Sequence, residues 1–211
     1  MKKVVVLISG RGSNMEALLK AKLPVEFAAV ISNRADAKGL QTAAAAGVPT
    51  AVVDHKAYAG REAFDAALAA TIDGYAPDLV VLAGFMRILT ADFVRRYEGR
   101  LLNIHPSLLP SFPGLHTHQR ALDEGVKVHG CTVHFVTADL DHGPVVIQAA
   151  VPVADDDNED SLSARVLAEE HRVYAQAVRW FAEDRLRLEQ GKVRLDGRGA
   201  LPAALLSPAL D

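Results

Sequence analysis

The chain has a single cysteine, Cys131, which excludes an internal disulfide and any Cys-x-x-Cys redox or zinc motif. Such usage fits a reducing compartment, and a cytoplasmic location is expected. Aromatic residues make up only 6% of the chain, while Ala, Val and Leu abound. That mixture suits an α/β protein better than a β-sandwich. Neither sign of charge dominates: the formal net charge is −3, which gives no global pull toward nucleic acid. No stretch approaches the roughly 20 apolar residues that span a bilayer. The apolar run Val4–Ile8 behind Lys2 and Lys3 is too short for a signal peptide. A soluble protein is expected, acting on small molecules, with no nucleic-acid or membrane partner, as a monomer or weak homodimer. What is present is 211 residues, half of them apolar, enough for one substantial core and too few for two enzyme domains.

Val4-Val5-Val6-Leu7-Ile8 is a continuous, mostly β-branched run, the pattern of a strand buried on both faces in a parallel sheet. A glycine-rich turn follows, then a helical pattern over about 13–21. Phe27–Ile31 reads as a strand, Lys38–Ala46 as a helix closed by Gly47, Ala51–Val53 as a short strand, Arg61–Tyr75 as a helix and Leu79–Ala83 as a strand. This alternation predicts a doubly wound, mostly parallel sheet of Rossmann-like type with helices on both faces. Thr90 is placed to cap a short helix reaching Tyr97. Asn103–His118 holds three prolines and reads as a long loop. Val133–Val136 and Val145–Val153 read as strands around a turn at 137–143, Asp155–Asp160 as a solvated acidic linker, and Ser161 as the opening of a long amphipathic helix. The expected organisation is one domain over 1–211. About 1–100 form a phosphate-binding half, about 101–186 a catalytic half, and 187–211 a weakly specified tail.

Three motifs carry chemistry. Ser9-Gly10-Arg11-Gly12-Ser13-Asn14 sits between a buried strand and a helix start, where free N–H groups and the helix dipole favour an anion. It lacks the Gly-Lys-Ser/Thr of a Walker loop, and Met15 stands where a dinucleotide fingerprint needs its third glycine. A phosphate monoester fits; a plain tight turn with Ser13 as N-cap fits too. In Asn103-Ile104-His105, a strand-like backbone puts Asn103 and His105 on one face. An amide donor beside an imidazole suits a developing oxyanion, and a core histidine bonded to backbone is the alternative. Asp141, in Leu140-Asp141-His142-Gly143, reads by itself as a turn residue. His116 and His118 resemble a metal pair, but no carboxylate or cysteine cluster joins them at a ligand spacing, so no metal is expected. His129 and His134 read as strand residues packing locally, and Cys131 as a small core residue.

Taken together and in order, Ile8–Asn14, Val81–Leu89, Leu102–Pro110, Pro113–His118, Val133–Phe135 and Leu140-Asp-x-Gly143 resemble the folate-dependent formyltransferase family. The likeness is greatest to members whose acceptor is a phosphoribosylated glycinamide, and it runs from about Lys3 to Leu186. It implies transfer of the formyl group of 10-formyltetrahydrofolate to the amine of 5-phosphoribosylglycinamide (GAR) in de novo purine biosynthesis, without metal. A 10-formyltetrahydrofolate hydrolase and a non-catalytic phosphoribosyl-binding module are the rival readings.

The resemblance also implies roles for single residues. Gly12, Ser13 and Asn14 would hold the acceptor's phosphate, and Glu170 would contact GAR. Met86, Arg87, Ile88 and Leu89 would line the folate pocket, with Arg61 on the folate's carboxylates. Asn103 would serve both folate and chemistry, His105 would be the proton donor, and Asp141 would raise the pKa of that histidine. One departure stands out: His142 occupies a place where the family usually has a small residue, and a second imidazole there would compete for Asp141 or tighten the folate-side loop, touching the pH optimum more than the activity.

Overall fold

The computed structural model describes residues 1–197, together with 199, 207 and 208. Its first half follows the alternation read from the sequence: β1 (Lys2–Ile8), α1 (Ser13–Lys20), β2 (Val25–Ser32), α2 (Lys38–Ala45), β3 (Thr50–Val52), a 3-10 turn (His55–Ala57), α3 (Arg61–Asp73), β4 (Leu79–Leu82) and α4 (Ala91–Arg96). Thr90 caps α4 as expected, its hydroxyl accepting from Phe93 N–H at 3.3 Å. The second half supplies β5 (Leu101–His105), α5 (Thr117–Asp123), β6 (Val128–Phe135), β7 (Val145–Pro152) and α6 (Glu159–Ala182), then a hairpin of β8 (Leu186–Glu189) and β9 (Lys192–Leu195).

Seven strands form one sheet in the order β3-β2-β1-β4-β5-β6-β7. β1 to β5 pair in parallel, and β6 runs antiparallel to both β5 and β7. Both faces of β1 are covered, which is why its sequence is apolar without alternation. Val4, Val6 and Ile8 pack toward Met15 and Leu18 of α1 and Leu162 and Val166 of α6. Val5 and Leu7 pack toward Phe64, Leu68 and Ile72 of α3 and Phe93 of α4. Phe64 is 1% exposed, and truncation there to Ala costs roughly 3–5 kcal/mol. Cys131, on β6, is fully buried, and burial pushes its thiol up to about 12. It is the core residue the sequence suggested.

The structure differs from the sequence reading in four places. Asn103–His105 close β5, so the loop begins only at Pro106; three prolines masked the short strand ahead of them. That loop is braced rather than loose: Thr132 donates to Ser107 O at 2.7 Å, and Thr117 to Pro106 O at 2.7 Å. Helix α5, with no N-cap side chain to announce it, starts at Thr117. The acidic stretch is mostly exposed, as read, but Asp157 is not solvated. Asp157, its side chain 3% exposed, receives Arg165 Nη1 at 2.6 Å, and the ion-paired guanidinium holds its carboxyl well below the usual range. Asn158 forms a capping box with Ser161, so α6 opens at Glu159, ahead of Ser161. Finally, the tail is ordered as a hairpin through Leu195; its remainder, 198, 200–206 and 209–211, lies outside the described residues.

Candidate active site

The strand order reverses direction between β1 and β4, and open α/β sheets bind ligands in the crevice at such a switch point. Here a cleft of about 510 Å³ opens between the loop after β1 and the loop after β4, lined by Ser9–Asn14 on one side and Gly84, Met86 and Arg87 on the other. At its floor, α1 starts with Gly12 as N-cap, in the left-handed region at φ 75, and no side chain caps the helix. Ser13 is the first helical residue and not the cap, which sets aside the plain-turn reading of that serine. The first N–H groups of α1 therefore remain free for an anion. Asn14 is buried, its Nδ2 donating to Glu170 Oε2 at 2.7 Å, while its Oδ1 has no partner among the described residues. Glu170 comes from α6 at the same spot. Burial pushes its carboxyl up, and the bond from Asn14 pulls it partly back. Sequence-distant residues 14 and 170 are thus brought together.

On β5 and β6 the register decides which side chains meet. Asn103 stands opposite His134, and His105 opposite Thr132. Directly opposed residues share a face, so these four polar side chains lie together while Leu102, Ile104, Val133 and Phe135 join the core toward α6. Asn103 Nδ2 is 3.3 Å from His134 Nε2. His134 Nδ1 lies 3.0 Å from the carbonyl of Phe135. With its hydrogen on Nδ1, the ring donates to that carbonyl and leaves Nε2 to accept from Asn103. Burial pushes the His134 pKa down, which keeps the ring neutral and able to accept. His134 was read as mere packing. The signal that finds it is the alternation of polar Thr132 and His134 with apolar Cys131, Val133 and Phe135 along β6.

His105 is bracketed. Its Nε2 lies 2.9 Å from Phe112 O, and its Nδ1 3.5 Å from Asp141 Oδ2. Both neighbours are acceptor oxygens, one facing each ring nitrogen. The His105 and Asp141 side chains are 7% and 8% exposed. Asp141 Oδ2 also accepts from Gly114 N–H at 2.8 Å, which ties the loop after β5 to the turn after β6. That turn is shaped by Gly143: a Cβ there would sit 1.7 Å from Phe135 O. Only glycine permits this approach, and two residues earlier Asp141, at φ 52, faces His105. His142 points to solvent and makes no hydrogen bond with Asp141; the expected competition does not occur in this structure.

Met86, at the cleft rim, and Ile88 are 67% and 61% exposed. Arg87 is half-buried, its guanidinium 5.6 Å from the Phe64 ring centre, and Leu89 packs partly against the α3 side of the core. Arg61 is not brought to this group: it opens α3 as an exposed residue and does not line the cleft. His118 and His129 pack ring to ring at 5.3 Å beside Phe112, and His116 precedes α5. Among the described residues, no three His, Cys, Asp or Glu side chains stand where they hold a metal ion, and no helix is long and apolar enough to cross a membrane.

A profile of the family described as "Formyl transferase" matches residues 2–178. The phosphoribosylglycinamide formyltransferase of Escherichia coli (strain K12) is 52% identical, over 94% of this chain and 96% of its own length. The crystal structure of glycinamide ribonucleotide transformylase 1 from Symbiobacterium toebii superposes with a TM-score of 0.90 at 52% identity, over 92% of this chain and 94% of that one. The phosphoribosylglycinamide formyltransferase of Coxiella burnetii, solved with CHES, gives 0.90 at 48% identity, over 93% and 94%.

Proposed function

The chain belongs to the formyl transferase family, and from that premise we propose that the Asn103, His105 and Asp141 group is the reaction centre of a phosphoribosylglycinamide formyltransferase. The activity is transfer of a formyl group to the amine of GAR, giving formyl-GAR in de novo purine biosynthesis. The donor is 10-formyltetrahydrofolate, a co-substrate released as tetrahydrofolate.

The observation that carries the assignment is His105 held between Asp141 and the Phe112 carbonyl, on the same sheet face as Asn103. Attack by the neutral amine forms a C–N bond at the formyl carbon and moves the carbonyl π electrons onto oxygen. The amide of Asn103 and the imidazolium of His105 face that charge as donors. The bond from the formyl carbon to the folate nitrogen then breaks. The proton lost by the amine goes to that nitrogen, passed by Asp141 and His105 or water between them. The Phe112 carbonyl holds the His105 proton at rest, so the substrate oxygen must displace it. Asp141 stabilises the charged ring through Nδ1. No covalent enzyme intermediate is required, and no step calls on a metal.

Gly12, Ser13 and Asn14 hold the acceptor's phosphate at the uncapped start of α1, and Glu170 meets the acceptor beside Asn14. Met86, Arg87, Ile88 and Leu89, with Asn103, receive the folate. Arg61 serves the folate's carboxylates only where that ligand extends beyond the cleft to the start of α3.

The test is turnover of 10-formyltetrahydrofolate with and without GAR, in the presence of a chelator. Turnover that requires GAR and ignores the chelator supports the reading. Formate release without GAR means a hydrolase, and ligand binding without any turnover means a binding module.

A further inference from the structure

The loop assigned to folate is suspended between two buried side chains that the reaction chemistry does not use. At its start, Ser9 Oγ accepts from Met86 N–H at 2.8 Å, and Ser9 N–H donates to Gly84 O at 3.2 Å. At its end, Asp65 Oδ2 accepts from Thr90 N–H at 2.6 Å. Ser9 is 6% exposed and Asp65 3%. The two pins come from different parts of the fold, Ser9 from the end of β1 and Asp65 from α3.

Each pin is itself fixed. The serine hydroxyl has one proton, and it is committed to Asn33 Oδ1 at 2.6 Å. Its lone pairs are therefore left for Met86 N–H. Asn33 is 2% exposed, and its Nδ2 lies 3.2 Å from His55 Nδ1. Asp65 Oδ1 has no partner among the described residues. A buried carboxylate with one oxygen unmatched costs stability, so core packing does not explain its presence. Between the pins, Met86 and Ile88 hold large apolar side chains out in solvent.

We propose that Ser9 and Asp65 are positioning residues that clamp the two ends of the 86–89 loop, so that the donor meets a pre-formed surface. Ser9 belongs to the same turn as Gly12–Asn14, so its bond to Met86 ties that turn to the donor loop. The proposal rests on the assignment of this loop to folate. A loop released from its pins must be ordered when ligand binds, which weakens binding without altering the chemical step.

The test uses the full chain carrying Ser9→Ala, Ser9→Thr, Asp65→Ala or Asp65→Asn, with two independent readouts. The first is amide hydrogen exchange on the protein without ligands. Met86 in Ser9→Ala and Thr90 in Asp65→Ala should exchange faster, with β1 and β4 unchanged. The second is steady-state kinetics with 10-formyltetrahydrofolate and GAR. Loss of one such bond should raise KM for the folate on the order of five- to tenfold. The kcat should move less than twofold, and in Asp65→Ala so should KM for GAR. Ser9→Thr and Asp65→Asn keep an acceptor oxygen and should recover most of the loss, which separates clamping from simple misfolding. Unchanged exchange at Met86 and Thr90 would overturn the clamp. Faster exchange with an unmoved folate KM, or with equal rises for both substrates, would overturn its role in donor placement. Parent protein that turns over neither substrate would instead sink the formyltransferase reading, and the exchange result would stand apart from it.

Discussion

Asn103 and His134 face each other across two antiparallel strands, 3.3 Å between amide nitrogen and ring nitrogen. One is assigned to the chemistry and the other holds it. With Nδ1–H turned to the Phe135 carbonyl, His134 has only a lone pair to offer, so the Asn103 amide is oriented by a partner that cannot donate back. His134→Ala should leave the sheet intact and free the amide to rotate. The expected result is a roughly tenfold lower kcat with folate KM moving less. His134→Gln, which offers an acceptor oxygen, should restore part of it. Steady-state kinetics of the two variants decide, and equal kcat in all three proteins would remove His134 from the site.

Asn103→Ala and His105→Ala remove the donors themselves. Each should lower kcat by on the order of 10²–10³, measured by formyl transfer to GAR at saturating folate. Near-parental turnover in either would refute the assignment.

Asp141→Asn keeps an oxygen for Gly114 N–H but removes the charge beside His105 Nδ1. The variant should fold, lose most of its activity and show an altered pH–rate profile. A profile superimposable on the parent's would show that the carboxylate does not act through the histidine.

Asn14→Ala opens the contact with Glu170 and disturbs the acceptor end of the cleft. KM for GAR should rise about tenfold, and KM for folate by less than twofold. Equal increases would misplace the acceptor.

Acid should destabilise the fold through buried imidazoles. His129 is 1% exposed, and its pKa is held down to about 4, first by burial and then by His118; burial also lowers the pKa of His118. A histidine whose folded pKa is depressed binds more protons when unfolded. Its contribution is whole above the unfolded value near 6.5 and is lost as pH falls toward 4. For His129 this is roughly 3 kcal/mol across that window. Urea unfolding at pH 7.5 and pH 5 should show the loss, and His129→Gln should make it smaller. An identical pH dependence in the variant would mean another group carries it.

Much of this was legible in the sequence because single strands and local motifs carry their own signals. The unbroken apolar run at Val4–Ile8 marked a central strand, and the glycine loop behind it marked the cleft. The chain order alone suggested the doubly wound sheet. What stayed hidden was pairing. Nothing local says that Asn103 opposes His134, because that depends on the register of β5 against β6. The union of Asp141 with His105 was implied only by resemblance; its cause is Gly143 lying against the Phe135 carbonyl, a contact between segments eight residues apart. Strand β5 was shadowed by the prolines that follow it, and the β8–β9 hairpin by the shortness of its strands, since Leu186–Glu189 and Lys192–Leu195 alternate apolar and polar over only four residues each. The two clamps on the 86–89 loop were equally silent, since Ser9 and Asp65 read as a turn serine and a helix carboxylate.

The chain's one thiol has a practical corollary. Cys131 sits on β6, between β5 and the edge strand β7, fully buried and far too weak an acid to form thiolate at neutral pH. A maleimide reagent meets it only when β6 separates from its neighbours, so its labelling rate counts openings of the sheet at β6. The folded protein thus provides a chemically silent background. A cysteine introduced on the exposed cleft rim, at Met86, can carry a fluorophore alone, and the native thiol reports in the same tube whether the labelled molecule has stayed folded.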